Sequence, residues 1–565
     1  MQPSKVTSGQ PDVDEDGVPA PDVATRGHRD VRHWARAFGL TRPDPQLWGQ
    51  AARRRLTLEN LNVLVIALMV LVVHDVGYIF SQPYWTDEDW VALTTKFPLS
   101  QLPATTNSTP IGFSVLIRFF TVSGTQSARI VPLAFAGAAV IVAYWFARRL
   151  DWPRMEASVC AGLLAGIGML LVPAMLDRDD LKQYTTDAFF AVLVLAVTSR
   201  LERNWSRRML ATLSVVTWGG MLFSDTVAFM GAAAFAAVCV IQLVRRDWRR
   251  LAESAVAGAA TAVLMLAVYK AFDAQAVTPS LTYSPHFSNY YPPLHSGVRP
   301  FLGFIHAHLQ VLVQHFGIKP LWLCGLLFAL GVVTIFWRGR PATALAVAIM
   351  WPEMVLIASL RLYPFLDART STFLFAVTAV VAAIGVAGVC SLLWPFLKGL
   401  LAIEVAMAAV AGFVVVALPS VRAHPIPYES MKSVTQYVAG HAASNDVIVL
   451  AQDSNFGFAY YWPEGQLSRE PDSTIIQGYE AYYSSQPRIV MALSRTPAGV
   501  DAAMTQALAQ SREHGCTAIW LIRSHTIPVE QKAYNLWIEQ HHFSGAVVDG
   551  TGDLYRIQVP KSACQ

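Results

Sequence analysis

The sequence predicts a polytopic α-helical membrane protein with about 11 transmembrane helices and a C-terminal extracytoplasmic α/β domain. Three observations lead to this fold class. Of the 565 residues, 54% are hydrophobic and 15% are charged, whereas soluble domains average about 25% charged residues. About 11 apolar segments approach the roughly 20 residues that a helix needs to cross the hydrocarbon core. After Pro419 these long segments stop, and short apolar runs alternate with helical patterns, as in small α/β domains.

The N-terminal part of the chain differs from the rest. Residues 1–58 are polar and rich in Pro, Asp and Arg, a composition that buries too little apolar surface to fold. We expect a mostly disordered cytoplasmic tail there, followed by a transmembrane domain over residues 59–418. The predicted spans are approximately 59–80, 127–147, 156–176, 185–199, 209–223, 226–244, 252–271, 317–337, 341–360, 371–393 and 397–418.

Basic residues mark every second junction between these spans. Arginine clusters precede the first span and follow the second, fourth, sixth and eighth, and Lys398 follows the tenth. Because basic loops stay on the cytoplasmic side, we expect a cytoplasmic N-terminus and an extracytoplasmic C-terminal domain in the cell membrane. The outer loops 81–126 and 272–316 are large. The first contains STPIGFSVLIRFF (108–120), which is too short to cross the bilayer and predicts a helix in the outer interface.

Residues 419–565 are predicted to form the extracytoplasmic α/β domain. The helical pattern PYESMKSVTQYVAGHA precedes strand-like DVIVLAQ and STIIQG, a helix near 499–514, and strand-like TAIWLIR and DLYRIQV. Four of the six cysteines lie in apolar segments, where a free thiol behaves as a small hydrophobe. Cys516 and Cys564 lie in this domain and can pair in an oxidising compartment. The sequence leaves that bond open.

Three consecutive acids follow the first span, in PYWTDEDWVAL (83–93). Asp87, Glu88 and Asp89 stand between Trp85 and Trp90, and tryptophan prefers the membrane interface. A carboxylate at that level has reduced solvation, which favours proton uptake and hence a role as a base. The alternative is a solvated loop.

Two further outer junctions gather ionisable residues. In DRDDLKQYTTD (177–187), Asp177 and Asp179 have a D-x-D spacing that suits a divalent cation. A polar hairpin is the alternative, so no cofactor is certain and a divalent cation stays open. In LYPFLDART (362–370), Arg369 offers the planar fork that binds phosphate. The alternative is an ordinary arginine that snorkels from a helix end.

In their order along the chain, these features resemble the GT-C superfamily of membrane glycosyltransferases. This group includes protein O-mannosyltransferases, lipid A aminoarabinose transferases, and actinobacterial arabinosyl- and mannosyltransferases. The matching parts are the acidic pair Asp87 and Glu88, the interfacial helix STPIGFSVLIRFF and the second span SARIVPLAFAGAAVIVAYWFARRL. LKQYTTDAFFAVLVL and LYPFLDART match later parts, so the likeness covers about residues 59–418.

The resemblance implies an inverting glycosyltransferase that moves a sugar from a polyprenyl-phosphate donor, such as decaprenyl or undecaprenyl phosphate, to an acceptor hydroxyl on the outer face of the membrane. Asp87 would be the catalytic base, with Glu88 beside it and Asp89 as a competitor for the role. Donor phosphate would bind Lys182, Arg369 and Arg118, and the sugar would bind Tyr184, Asp187 and Asp89. The acceptor, whether a glycan, a lipid or a protein, is not indicated. The tyrosine-rich YYWPEG and EAYYSS stretches either hold it or belong to the core of the C-terminal domain.

Two other classes of protein compete with a transferase. A transporter or lipid flippase would show internal repeats and ionisable groups near the bilayer midplane, but we find no repeat, and the mid-span acids are Glu353 and Glu404. A scaffold or sensor would not need charged residues from three outer loops to converge. Nucleic acid is excluded as a partner because the net charge is only +4 and the basic residues form no aromatic-laced face.

Overall fold

The computed structural model describes residues 63–105, 109–172, 181–273, 285–316, 320–393, 431–462, 488–548 and 553–563, apart from residues 64, 67, 68, 72 and 123. Within them the chain is mostly helical and carries one five-stranded sheet near its C-terminus. The α-helices are α1 (Val76–Ser81), α2 (Thr86–Leu93), α3 (Leu102–Thr105), α4 (Ile111–Phe120), α5 (Ile130–Arg148), α6 (Met155–Leu170), α7 (Tyr184–Arg203), α8 (Arg207–Gly220), α9 (Val227–Val244), α10 (Trp248–Val268), α11 (Val298–Phe316), α12 (Leu321–Trp337), α13 (Pro341–Ser359), α14 (Thr372–Leu393), α15 (Met431–His441), α16 (Ser454–Tyr461), α17 (Pro497–Glu513) and α18 (Pro528–Gln540).

Six helices in the described part of the chain are long and apolar enough to cross a membrane. They are Ser127–Arg148, Tyr184–Arg203, Val227–Val244, Trp248–Phe272, Pro341–Ser359 and Thr372–Leu392. The prediction of a helical membrane protein is thereby confirmed. Three other predicted spans are helices of 16, 14 and 17 residues, α6, α8 and α12. The first predicted span is described only in part and 397–418 lies outside the described residues, so the count of about 11 stays a prediction.

Ion pairs identify one end of the helical bundle. Arg340, just before α13, donates to Asp151 at 2.7 Å, and Arg203, the last residue of α7, lies 3.4 Å from the other oxygen of Asp151. Glu202 accepts hydrogen bonds from two backbone amides at the start of α13, at 2.6 and 2.8 Å. We call this the arginine end, defined by Arg203 and Arg340. The opposite end, where α5 and α7 begin and α13 ends, is called the acidic end.

Glycines let helices α12 and α14 lie backbone against backbone. A Cβ atom at Gly331 would stand 1.9 Å from the carbonyl oxygen of Val381, and one at Gly385 would stand 2.3 Å from the carbonyl oxygen of Leu327. Small residues at such contacts are typical of membrane helices, because apolar side chains gain little by associating inside lipid. This helix pair therefore has no room for a larger side chain.

The C-terminal sheet is built around three parallel strands. Its strands are β1 (Val447–Leu450), β2 (Ile489–Met491), β3 (Ile519–Ile522), β4 (Ser544–Val547) and β5 (Leu554–Gln558), in the order β2-β1-β3-β5-β4. β1 pairs in parallel with both β2 and β3, while β5 runs antiparallel to β3 and β4. Continuous apolar runs such as VIVL and IWLI suit central strands covered on both faces.

The two faces of the sheet enter different cores. Val447 and Val449 pack with residues of α17 and α18, whereas Ile448 and Leu450 pack with residues of α15 and α16. The second core continues without a break into α2, α4 and the start of α5. The sheet domain and the segment between the first two predicted spans therefore share one hydrophobic core.

The aromatic residues of YYWPEG belong to this shared core. Tyr460, Tyr461 and Trp462 are 1%, 7% and 8% exposed, so of the two interpretations, core packing is confirmed for these three. EAYYSS lies outside the described residues. Cys516 takes part in a disulfide, while its predicted partner Cys564 also lies outside them.

The glycine contact yields a direct test. We expect Gly331→Ala to destabilise the protein by at least about 1–3 kcal/mol, the usual cost of overpacking, because the new methyl group would meet the backbone of Val381. Gly325→Ala in the same helix is the matched control, since a Cβ there meets nothing within 4 Å. Thermal unfolding of both variants in detergent decides the matter. Equal midpoints would show that α12 and α14 are not in backbone contact.

Candidate active site

Helix α2 carries the three consecutive acids in its first turn. Acidic residues stabilise that turn because it is the positive end of the helix dipole. Successive residues of an α-helix are rotated by about 100°, so the three side chains leave α2 in three directions. Each of them meets a different part of the molecule.

Asp87 forms an ion pair with Arg369, which lies just before α14. The guanidinium of Arg369 also lies over the ring of Trp85, with its carbon 4.9 Å from the ring centroid. The side chains of Asp87 and Arg369 are 25% and 27% exposed, so a ligand can reach both. Burial lowers the pKa of Arg369 to about 10, which leaves the guanidinium charged at neutral pH.

The loop between α13 and α14 is folded around Asp367. One carboxylate oxygen of Asp367 accepts hydrogen bonds from the backbone amides of Arg369, at 3.2 Å, and Thr370, at 2.9 Å. Such a turn is a common use of aspartate in loops. The hydroxyl of Tyr363 donates to the carbonyl of Thr370 at 2.8 Å. These bonds fix the backbone of Arg369 while its side chain reaches α2.

Glu88 forms a buried ion pair with Arg129, the residue before α5, and every N–H donor of the Arg129 guanidinium has a partner. Nε and Nη2 of Arg129 donate to the two carboxylate oxygens of Glu88. Nη1 donates to the backbone carbonyls of Ile79 and Gln82, at 2.6 and 2.7 Å, and Nη2 also donates to the carbonyl of Pro83 at 2.9 Å. These five bonds use the five N–H donors of a guanidinium.

The carboxylate of Glu88 also accepts hydrogen bonds from the backbone. It accepts hydrogen bonds from the backbone amides of Leu181, at 2.8 Å, and Trp85, at 3.2 Å. The side chains of Glu88 and Arg129 are both 0% exposed. Both oxygens of the buried Glu88 carboxylate are therefore occupied by hydrogen-bond donors of the protein.

Asp89 faces the C-terminal domain. It is 0% exposed, and a Cβ at Gly457 of α16 would stand 2.4 Å from one of its carboxylate oxygens. Burial raises the pKa of the Tyr460 and Tyr461 hydroxyls, and the charge of Asp89 raises each further. Asp89 is therefore buried where α2 meets α16.

The three cations predicted to bind phosphate have different surroundings. Arg369 contacts Asp87 directly. Lys182 is 3% exposed, and its Nζ lies 4.6 Å from the ring centroid of Trp90 in α2. Arg118 in α4 donates to the backbone carbonyl of Phe97. The described contacts thus bring two of the three cations to α2.

Tyr184 and Asp187 open α7 and belong to a second polar cluster at the acidic end. Asp187 is 2% exposed and lies near the hydroxyls of Ser224 and Thr226, between α8 and α9. Burial raises the pKa of Tyr363 well above its usual range, and Asp187 and Tyr184 add to that shift. Because Tyr363 also bonds the loop that carries Arg369, this cluster adjoins the Asp87–Arg369 pair.

The predicted cation ligands Asp177 and Asp179 lie outside the described residues. Elsewhere, among the residues that the structure does describe, no group of three or more His, Cys, Asp or Glu side chains is placed to hold a metal ion. The binding of a divalent cation by Asp177 and Asp179 therefore stays a prediction.

Several residues of the site were not singled out from the sequence. Arg129 stands at the start of the quoted segment SARIVPLAFAGAAVIVAYWFARRL, and an arginine at the end of an apolar span is a signal that a sequence can show. Asp367 and Tyr363 stand in the quoted LYPFLDART motif, but nothing in the motif shows that they shape the loop.

Comparison with solved structures finds oligosaccharyltransferases and an arabinofuranosyltransferase among the proteins to which the chain is similar. The solved structures to which the chain is similar belong to the GT-C superfamily, the group that the sequence resembles. No family model matches the chain, and no curated protein matches it in sequence.

Three of these structures show how similar the chain is to them in sequence and in fold. The oligosaccharyltransferase of Archaeoglobus fulgidus, in complex with Zn and sulfate, has 13% identity and a TM-score of 0.49 over 82% of this chain and 68% of that chain. The same organism's oligosaccharyltransferase AglB, in complex with an inhibitory peptide and a dolichol-phosphate, has 12% identity and a TM-score of 0.46 over 88% and 74%. The mycobacterial arabinofuranosyltransferase AftD has 13% identity and a TM-score of 0.43 over 88% of this chain and 39% of that chain. At such values the function has to come from the site's own residues.

An isosteric substitution that removes the charge of Glu88 tests the buried ion pair. Glu88→Gln leaves the shape of the side chain but removes the counter-charge of Arg129, and an uncompensated buried charge costs about 3–5 kcal/mol. We expect a much lower midpoint of thermal unfolding. Glu253→Gln is the matched control, because Glu253 pairs with the exposed Arg207 at the surface, where such pairs contribute little. If both variants unfold alike, Glu88 is not needed to hold α2.

Proposed function

We propose that the protein is an inverting membrane glycosyltransferase that moves a sugar from a polyprenyl-phosphate donor to an acceptor hydroxyl on the outer face of the cell membrane. The observation that carries the proposal is the Asp87–Arg369 pair at the acidic end of the bundle. It sets a partly exposed carboxylate beside a partly exposed guanidinium, the two groups that such a transfer requires.

The sidedness follows from charge and redox chemistry. Basic junctions are retained in the cytoplasm, so the arginine end is assigned to that side and the acidic end to the outer face. The bonded state of Cys516 supports the same orientation, because disulfides persist in oxidising compartments. The C-terminal domain then stands outside the membrane beside the acidic end.

The donor phosphate takes the place of Asp87 on Arg369. An ion pair whose partners are each about a quarter exposed has a modest free energy of formation, up to about 1 kcal/mol. A phosphate offers the same guanidinium a bidentate contact with more negative charge. Arrival of the lipid carrier therefore releases the Asp87 carboxylate at the moment when a base is needed.

The chemical step then balances without any further reagent. Asp87 accepts the proton of the acceptor hydroxyl as that oxygen forms a bond to the anomeric carbon. The bond between the anomeric carbon and the phosphate oxygen breaks from the opposite face, and the electron pair leaves with the polyprenyl phosphate. Arg369 stabilises the charge that grows on the departing phosphate.

The other residues predicted for the site assist Asp87 and Arg369. Lys182 adds positive potential behind α2, with Arg118 further away on α4. Tyr184 and Asp187 bind sugar hydroxyls through the polar cluster at the start of α7. Glu88 and Asp89 hold α2 in place, which leaves Asp87 as the base. A divalent cation, if one is used, would bind Asp177 and Asp179.

Loss of the base should abolish transfer. With Asp87→Asn in lipid discs, we expect sugar transfer from a panel of undecaprenyl- and decaprenyl-phosphate sugars to fall by about 10²- to 10⁴-fold, the usual contribution of a positioned base. Asp247→Asn, at the start of α10, is the matched control because asparagine caps a helix as well as aspartate does. Transfer that survives Asp87→Asn would assign the base elsewhere, and a folded wild-type protein that transfers none of the sugars would refute the class.

The exchange of partners at Arg369 makes a separate prediction about binding. Asp87→Asn removes the resting partner of Arg369, so sugar-free undecaprenyl phosphate should bind about two- to fivefold more tightly than to the wild type. Arg369→Gln should weaken that binding by tenfold or more, since a charge-assisted bidentate contact is lost. Titration of the carrier into discs gives both constants. Weaker binding to the Asp87→Asn variant would show that Asp87 does not compete with phosphate.

A further inference from the structure

Helix α16 of the C-terminal domain is packed directly against the helix that carries Asp87. All eight residues of α16 are buried. Phe456 lies 6.1 Å from Trp90 of α2, measured between ring centroids, and Tyr460 lies 5.5 Å from Tyr84. Aromatic residues of α16 therefore contact both α2 and the chain that leads into it.

The hydroxyl of Tyr461 joins the two chain segments that flank the buried ion pair. It accepts a hydrogen bond from the backbone amide of Tyr84, at 2.9 Å, and one from Nε2 of Gln126, at 3.2 Å. Tyr84 comes three residues before Asp87, and Gln126 comes three residues before Arg129, whose amide it accepts at 3.1 Å. One oxygen atom from the C-terminal domain thus links the start of α2 to the start of α5.

The position of Tyr461 is itself fixed by contacts from the membrane domain. Lys96, just after α2, donates from Nζ to the carbonyls of Ala459 and Tyr460, at 2.9 and 2.6 Å. A cation suits these carbonyls because they stand at the negative end of the α16 dipole. The hydroxyl of Tyr460 donates to the carbonyl of Thr125 at 3.0 Å. With Gly457 against Asp89, α16 has little freedom to shift.

We propose that Tyr461 is a positioning residue for the transfer reaction, so that the C-terminal domain shapes the active site through a hydroxyl that does not itself touch substrate. The inference rests on the proposed function of Asp87. Its basis is geometric: the backbone of Tyr84 leads directly into the first turn of α2, and the Tyr461 hydroxyl is its hydrogen-bond partner.

Small displacements of α2 have large consequences for a base. Proton transfer requires heavy atoms within about 2.6–3.2 Å, and misplacement by about 1 Å can cost a hundredfold in rate. Burying the Tyr84 amide without a partner would favour movement of this turn towards water or another acceptor. The phosphate contact of Arg369 would be unaffected, because Arg369 is held by its own loop around Asp367.

Tyr461→Phe tests the inference because it removes only the hydroxyl. We expect the turnover number to fall by about three- to tenfold, the range of one or two lost hydrogen bonds, with the KM for the lipid donor unchanged. Tyr437→Phe is the matched control in the same domain, since Tyr437 is 40% exposed. Equal turnover in Tyr461→Phe and Tyr437→Phe would overturn the proposal.

Amide hydrogen exchange gives a second readout that does not depend on activity. In Tyr461→Phe, peptides covering 84–93 should exchange faster, while those covering strands β1 and β3 should exchange as in the wild type. Faster exchange in the strands as well would mean that the domain has loosened as a whole, which would overturn a specific positioning role. If no donor is turned over by the wild type, the proposed function fails, while the exchange data still decide whether Tyr461 holds α2.

Gln126→Met provides an independent variant, because it removes the other hydrogen bond to the same oxygen. If both residues act through that oxygen, the double variant should be little worse than Tyr461→Phe alone, since effects within one network do not add. Fully additive losses in turnover would show that the two residues act separately and would also overturn the proposal.

Discussion

The Arg129 guanidinium is the group on which the geometry of the acidic end depends. Burying a charge is costly unless its hydrogen bonds are complete, and here they are: two bonds go to Glu88 and three go to the carbonyls of Ile79, Gln82 and Pro83. Those three carbonyls belong to the chain that runs from α1 into α2. The arginine therefore fixes the segment that leads into α2 as well as the helix itself.

Adjacent residues of α2 carry two ion pairs of opposite character. The Glu88–Arg129 pair is fully buried, and the Asp87–Arg369 pair is about a quarter exposed. A buried pair is expensive to break because separation leaves a charge without solvent. An exposed pair costs little to exchange for another partner. The helix is thus held by one acid while its neighbour is able to change partners, an arrangement that suits the base proposed here, which has to be preorganised and displaceable.

The parts of this fold that local pattern controls could be predicted from the sequence. The long apolar segments predicted the six described helices that are long enough to cross a membrane, and short apolar runs predicted β1, β3 and β5. Both predictions succeed because hydrophobic periodicity is a local property of the sequence. The helix over the STPIGFSVLIRFF segment was also predicted, and α4 lies within it. Helix α16 was not predicted, because the sequence analysis considered only the aromatic residues at its C-terminal end, either as core or as a binding platform. The pairs that define the site could not be predicted: Glu88 and Arg129 are 41 residues apart, and Asp87 and Arg369 are 282 apart. A single sequence shows which charges exist, but it does not show which of them meet.

The core that the sheet domain shares with α2, α4 and the start of α5 limits how the two parts can move relative to each other. Residues from α2, α4 and α5 share one apolar cluster with Ile448 and Leu450 of β1, and α16 lies between them. Interfaces between domains of one chain are usually modest and polar, so that domains move relative to each other. An apolar core that is shared in this way behaves as the interior of a single unit, close-packed and resistant to sliding. Under the proposed function, the exchange of partners at Asp87 and Arg369 therefore takes place by movement of their side chains, without sliding of the sheet domain on α2.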